Sequence, residues 1–210
     1  MHARLGGSLR PFVPGLPTEL HTDAFFCACG YAPRPNGEHV WDVARDLRDY
    51  QNPKGLRKPF GFECRPAQLG DANALCKFFW REFPNRWRYE YKEFLRASGR
   101  ISDWMILTDT RGVDGFAKLC FEDSVTPLNR VYPWKLARPW GQLGPIGVSA
   151  DTRGNGYGSA LLDASLCHMR ERGVRGCVID WTGLVDFYAQ FRFKPYRQYA
   201  VLIKNKLQNE

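Results

Sequence analysis

The chain has no run approaching the ~18 consecutive apolar residues that a membrane-spanning helix requires. Its opening stretch, MHARLGGSLRPFVPG, also lacks the apolar middle of a secretory leader. No membrane partner and a cytoplasmic location are therefore expected. Cysteine is present but not in a metal-binding pattern: there are seven, an odd number, with only four histidines to join them. Cys27-x-Cys29 is tighter than the two-residue spacing usual at zinc, so no metal site is expected. Basic runs are missing as well. The formal net charge is +8, but the lysines and arginines are scattered, which argues against nucleic acid as a partner. Disorder is excluded by composition, since 44% hydrophobic and 14% aromatic residues over 210 positions are enough for one sizeable domain and an extension.

What the chain does have is the stretch Gly147 to Gly173, GVSADTRGNGYGSALLDASLCHMRERG. The apolar end of a strand runs into Arg153, Gly154, Asn155, Gly156, Tyr157, Gly158 and Ser159. A helical pattern follows, with Leu162, Leu166 and Met169 on one face. Three glycines thus stand at a helix N-terminus. Glycine lets backbone approach a ligand, the first-turn N–H groups have no partners within the helix, and the helix dipole favours negative charge there. Phosphate suits such a place. Gly173 is a suitable left-handed stop, with Arg170 and Arg172 in the last turn. A Walker loop is excluded because Gly158 is followed by Ser159 and Ala160 rather than Lys and Ser or Thr, and Gly-x-Gly-x-Gly is not the spacing of a dinucleotide fingerprint. Spacing alone leaves open a turn whose glycines merely satisfy backbone geometry.

The arrangement Arg153-x-x-Gly156-x-Gly158 resembles the signature of the GNAT superfamily of acyl-CoA-dependent N-acyltransferases. The flanks agree: a strand ending Ile146-Gly147-Val148 precedes it, and a strand from Gly176 to Trp181 follows. Then comes Asp186-Phe187-Tyr188-Ala189-Gln190-Phe191-Arg192-Phe193, similar to that family's closing helix. The resemblance runs from about Phe60 to Leu207. It implies an α/β (α+β) fold, a mixed and mostly antiparallel central sheet flanked by helices, with acyl-CoA in a cleft between splayed strands. It further implies acetyl-CoA as co-substrate, its thioester end on Ile146, Gly147 and Val148, its phosphates on Arg153 to Ser159, and Phe187 beside it.

Along the chain, 1–17 is expected to be a loose lead-in, 53–59 a linker and 60–210 the acyltransferase domain. Residues 18–52 form a helix-strand extension with its own likeness. Phe25-Phe26, Tyr31 and Pro33 recur in register as Phe187-Tyr188, Phe193 and Pro195, so the extension resembles the C-terminal part of a second GNAT unit. An unrelated extension packing beside the sheet is the alternative. Helices are expected at Asp71 to Phe83 and Asn85 to Ala97, which border the acceptor in the family. Their aromatic residues are more readily core than ligand cage. Strands are expected at Phe60 to Arg65, Trp104 to Asp109 and Val113 to Glu122, and the proline-rich loop from Ser124 to Gly141 is expected over the acceptor side.

Amide formation needs a neutral amine, stabilisation of developing charge and a proton for the leaving thiolate. In the family a tyrosine of the closing helix supplies that proton, and Tyr188 matches it. The family's common glutamate is replaced near Gln142, which cannot accept a proton. Asp180, Glu122 and Asp123 are the carboxylates near strand ends, and Asp180 is the preferred base. Trp181 and Arg192 also depart from the family's usual Asn and Gly. The favoured reading is an N-acetyltransferase acting on a small-molecule amine such as an amino sugar, polyamine or aminoglycoside. The alternatives are acetylation of protein lysines or N-termini, and a non-catalytic acyl-CoA-binding or assembly module in which the extension pairs with a second chain as a homodimer.

Overall fold

The computed structural model describes residues 2–4, 15–34, 40–56, 59–125 and 136–205. In chain order its strands are β1 (His2–Arg4), β2 (Leu16–Pro17), β3 (Ala32–Pro33), β4 (Val40–Asp46), β5 (Glu63–Pro66), β6 (Trp104–Asp109), β7 (Gly112–Phe121), β8 (Trp140–Val148), β9 (Gly176–Thr182), β10 (Lys194–Ala200) and β11 (Leu202–Asn205). Its helices are α1 (Asp23–Ala28), α2 (Ala72–Glu82), α3 (Arg86–Arg96), α4 (Tyr157–Glu171) and α5 (Val185–Ala189). Two compact units result. One is the continuous stretch Asp46–Val178, and the other joins Met1–Arg45 to Ile179–Glu210.

In the continuous unit β5, β6, β7 and β8 pair antiparallel in that order, and β8 then pairs parallel with the first half of β9. The sheet is mixed and mostly antiparallel, as the resemblance implies. Both alternating sets of β6 side chains are buried, Trp104 and Ile106 on one face, Met105 and Leu107 on the other, so helices must cover both sides. Trp104 and Ile106 pack with Leu75, Phe78 and Phe79 of α2 and Tyr91 and Phe94 of α3. Edge-on ring contacts such as Phe79 to Phe116, 4.6 Å between centroids, bind this cluster. The aromatic residues of α2 and α3 are therefore largely core. On α4, Leu161, Leu162, Leu166 and Met169 are buried against the sheet.

Local chemistry sets the helix ends. Arg65 grips Asp71 through two nitrogens, at 2.7 and 3.0 Å, just where α2 begins. Gly173 takes φ 84° and donates its N–H to Arg170 O, stopping α4. At the end of α3 it is Ser98, not Gly99, that turns left-handed, at φ 57°. Gly99 is needed for closeness instead, since a Cβ there would lie 2.4 Å from the Phe94 ring. The first strand of the unit starts at Glu63 rather than Phe60, because Gly61 at φ 75° turns the chain and leaves Phe60 fully exposed.

In the other unit, β10 pairs antiparallel with β2 and β4, and β11 with β1 and β3. The two similar sequence stretches fold alike. Tyr31 donates its N–H to Phe26 O and Gly30 donates to Cys27 O; Phe193 donates to Tyr188 O and Arg192 to Ala189 O. In each case a short helix, α1 or α5, ends in a left-handed residue and an aromatic before a strand opens on Ala32-Pro33 or Lys194-Pro195. Phe26 stands where Tyr188 does and carries no hydroxyl. Of the proline-rich loop, residues 126–135 lie outside the described residues, as do 5–14 of the lead-in.

Candidate functional site

The glycine turn belongs to the continuous unit. Gly156 is the N-cap of α4 at φ 87°, a conformation closed to most side chains, and Gly154 is left-handed too, at φ 77°. Helix geometry leaves the N–H groups of Tyr157, Gly158 and Ser159 without acceptors inside the helix, while Ala160 already bonds Gly156 O. No atom lies within 4 Å of the position a Cβ would take on Gly158, so the first turn faces open space. A shallow opening of about 370 Å³ adjoins it, lined by Pro59, Phe60, Arg111, Asp151, Thr152, Asn155 and Tyr157.

The turn is tied down from behind. Ser149 donates its hydroxyl to Asp114 Oδ1 at 2.8 Å, and Arg81 of α2 reaches both, at 2.9 and 3.0 Å. Glu82 accepts the Ala150 N–H at 3.0 Å, and Thr152 folds back onto Ser149 O. Arg111 pairs with Asp151 at 2.5 Å and with buried Asp114, holding the Asp151 carboxyl below its usual range and cancelling a charge that would oppose an anion. Arg153 is exposed. A rigid, cation-backed glycine turn at a helix N-terminus fits a phosphate-bearing group.

Strand β8 leads into this turn, and its parallel pairing with β9 covers only Trp140, Gln142 and the residue between, opposite Gly176 to Val178. Beyond Gln142, β8 keeps β7 as partner through Ile146, Gly147 and Val148, which lie opposite Ala117, Phe116 and Gly115. Ile146 and Gly147 are half-buried and Val148 is buried. The parallel pairing thus ends at Gln142, while β8 continues to Val148 on its β7 side.

Tyr188, Phe187 and Asp180 belong to the other unit. Tyr188 is buried on α5, its ring edge-on to Phe187 with centroids 5.0 Å apart. Burial and then the Asp180 charge push its hydroxyl up to about 12, against a hydrogen bond with Thr182. Asp180 is half-buried on β9. The next residue, Trp181, is left-handed at φ 55°, and its N–H bonds Asp42 Oδ1 at 3.0 Å.

Asp42 is the residue that sequence reasoning missed. It is completely buried on β4, and Tyr199 donates to its other oxygen at 2.6 Å. Burial raises its pKa to about 6, the Asp180 charge adding to the effect against Tyr199, Trp181 and Arg197. Its strand also carries Arg45 and Asp46, so no local pattern singles Asp42 out.

Two carboxylates considered as bases do not suit the role. Glu122 accepts two nitrogens of Arg138, at 2.9 and 3.0 Å, and the Trp140 N–H, so its pKa is lowered. Asp123 is gripped by Arg100 at 2.7 and 2.8 Å, which pulls it down to about 2. Both are structural anchors. Gln142 is half-buried at the end of the parallel pairing. Among the described residues no group of three or more His, Cys, Asp or Glu could hold a metal, and no helix is long and apolar enough to cross a membrane.

Residues 72–193 match the model of the acetyltransferase (GNAT) family. No curated protein matches the chain. Among solved structures, a GCN5-related glucosamine N-acetyltransferase region of a fungal multi-domain GH3 β-N-acetylglucosaminidase superimposes with a TM-score of 0.82 at 24% identity, covering 96% of this chain and 25% of that one. A GCN5-related N-acetyltransferase from Sphaerobacter thermophilus gives 0.67 at 19% identity, covering 90% and 58%. A tandem GNAT protein from the clavulanic acid biosynthesis pathway gives 0.59 at 16% identity, covering 96% and 62%. The chain thus spans from a quarter to about three-fifths of the length of these structures.

Proposed function

Because the chain belongs to the acetyltransferase (GNAT) family, we propose that it is an N-acetyltransferase carrying the acetyl group of acetyl-CoA to a primary amine of a small molecule. The observation that carries the reading is the α4 N-terminus, where Gly156 caps with a positive φ and Gly158 faces open space. Acetyl-CoA supplies an activated thioester; the rest falls to the protein. The N–H groups of Tyr157, Gly158 and Ser159, with Gly154, Asn155 and Arg153 beside them, hold the phosphates. Ile146, Gly147 and Val148 offer the β8 backbone that β9 leaves unpaired.

In the transfer a C–N bond forms, a C–S bond breaks, and the amine nitrogen gives up one proton. Asp180 takes that proton. Tyr188 stays protonated at any working pH, because its hydroxyl titrates only near 12. A thiol titrates near ~8.5, so handing the proton over entirely would be uphill, and Tyr188 serves as a hydrogen-bond donor to sulfur as charge develops there. Solvent restores the thiol, and Asp180 returns its proton to water. Phe187 packs edge-on against the Tyr188 ring. The description of the fungal region as a glucosamine N-acetyltransferase puts amino sugars first among the acceptors to try.

The test is calorimetric titration with acetyl-CoA of wild type and of Gly158→Trp, a substitution whose Cβ meets no atom within 4 Å. Binding by wild type that the indole abolishes, with thermal stability kept, is the expected result. No binding by wild type would end the acetyltransferase reading and favour an assembly role.

A further inference from the structure

We propose that Asp42, contributed by the N-terminal segment, is a positioning residue that aims Asp180 and raises its basicity. The inference rests on the reading of Asp180 as the proton acceptor. Its first support is geometric: the Trp181 N–H that Asp42 accepts at 3.0 Å lies in the peptide joining Asp180 to Trp181, so the buried carboxylate clamps the backbone from which the Asp180 side chain springs. Trp181 holds a left-handed φ of 55°, rare for so large a side chain, and such a conformation persists only where surrounding structure imposes it. Asp42 is itself fixed from the far side by the Tyr199 hydroxyl at 2.6 Å.

The second support is electrostatic. Like charges near one another each disfavour the other's ionisation. The Asp180 charge raises the proton affinity of Asp42, and the same charge reaches the Tyr188 hydroxyl. By reciprocity an ionised Asp42 raises the proton affinity of Asp180. The groups that face Asp42 are Asp180 and Trp181 from β9 and Tyr199 and Arg197 from β10. Arg197 is held at 2.6 Å by Glu19, which moderates its opposing effect. The segment resembling part of a second unit thereby serves the chemistry of the first.

Carboxyl titration followed by NMR on 13C-aspartate-labelled protein tests this without substrate, with Asp180 assigned by its loss in Asp180→Asn. In Asp42→Asn, whose amide oxygen still accepts the Trp181 N–H, the Asp180 pKa should fall by about one unit, a tenfold loss of proton affinity. In Asp180→Asn, altered at a half-buried position, the Asp42 pKa should fall reciprocally, and this measurement decides the matter if Asp42→Asn does not fold. An Asp180 pKa unmoved in Asp42→Asn, or an Asp42 pKa unmoved in Asp180→Asn, overturns the proposal. Neither result depends on turnover, so a failure of the acetyltransferase reading would register separately, in the acetyl-CoA titration.

Discussion

Gly30 and Arg192 hold equivalent places in the two helix-to-strand turns, each left-handed, at φ 83° and 60°. Glycine adopts that conformation freely, whereas an L side chain there costs about 1 to 2 kcal/mol. Part of the gain from a glycine is offset by about 0.5 to 1 kcal/mol of extra unfolded-state entropy. Arg192→Gly should therefore raise stability by roughly 0.5 to 1 kcal/mol. Urea unfolding should show a higher midpoint with an unchanged slope, and a lower midpoint would mean that the arginine side chain contributes more than its backbone costs.

The glycines of the α4 turn should separate by backbone rather than by position. Gly156→Ala places a Cβ at φ 87° and should lose about 1 kcal/mol. Gly158→Ala meets nothing and should gain a few tenths to about 1 kcal/mol from helix propensity. Paired urea curves measure both, and equal losses would contradict the assigned turn.

Stability should fall as pH rises past Asp42. Its folded pKa, about 6, lies above the ordinary value of 3.8, so between these values the folded state binds more protons than the unfolded one. Its contribution is fully present below about pH 4, is lost on the way to pH 6, and is level above. A two-unit shift corresponds to about 3 kcal/mol at most. Denaturation from pH 4 to 7 should show that slope in wild type and lack it in Asp42→Asn.

Tyr50 ties the chain after β4 to α4, its hydroxyl 2.6 Å from buried Asp163 while Arg170 grips its carbonyl oxygen. Tyr50→Phe removes a buried donor from a carboxylate and should cost roughly 1 to 3 kcal/mol. Thermal unfolding checks it; a change under about 0.5 kcal/mol would show that water substitutes freely.

Tyr188→Phe tests how the hydroxyl is used. A donor to developing negative charge contributes about 1.5 to 3 kcal/mol, so turnover should drop by about 10- to 150-fold with acetyl-CoA affinity kept. A loss beyond about a thousandfold would point to outright proton transfer, and no loss would remove Tyr188 from the chemistry.

The fold was legible where its determinants are local. The α4 cap, its glycine stop and its buried face lie within one stretch from Gly147 to Gly173, and periodicity carried α2, α3, β6 and β7. The likeness of α1 and α5 was also readable, because a left-handed residue and an aromatic recur at fixed spacing. Illegible were the features made by distant partners. Nothing near Asp42 announces that Trp181, 139 positions on, turns left-handed to meet it. Nothing in the sequence around Glu122 or Asp123 shows that Arg138 and Arg100 already occupy them. Carboxylates near strand ends look alike until their cations are found, so the sequence preferred Asp180 without showing that Arg138 and Arg100 hold the other two.

The division of the chain also bears on the order in which it acquires structure. Asp46–Val178 is uninterrupted, so it is complete while the last strands are still being made. The other unit closes only when residues after Ile179 arrive, and its Asp42–Tyr199 hydrogen bond spans 157 positions. During synthesis the N-terminal segment must therefore wait, its Asp42 carboxylate still hydrated and without the Tyr199 hydroxyl that it accepts from in the finished fold.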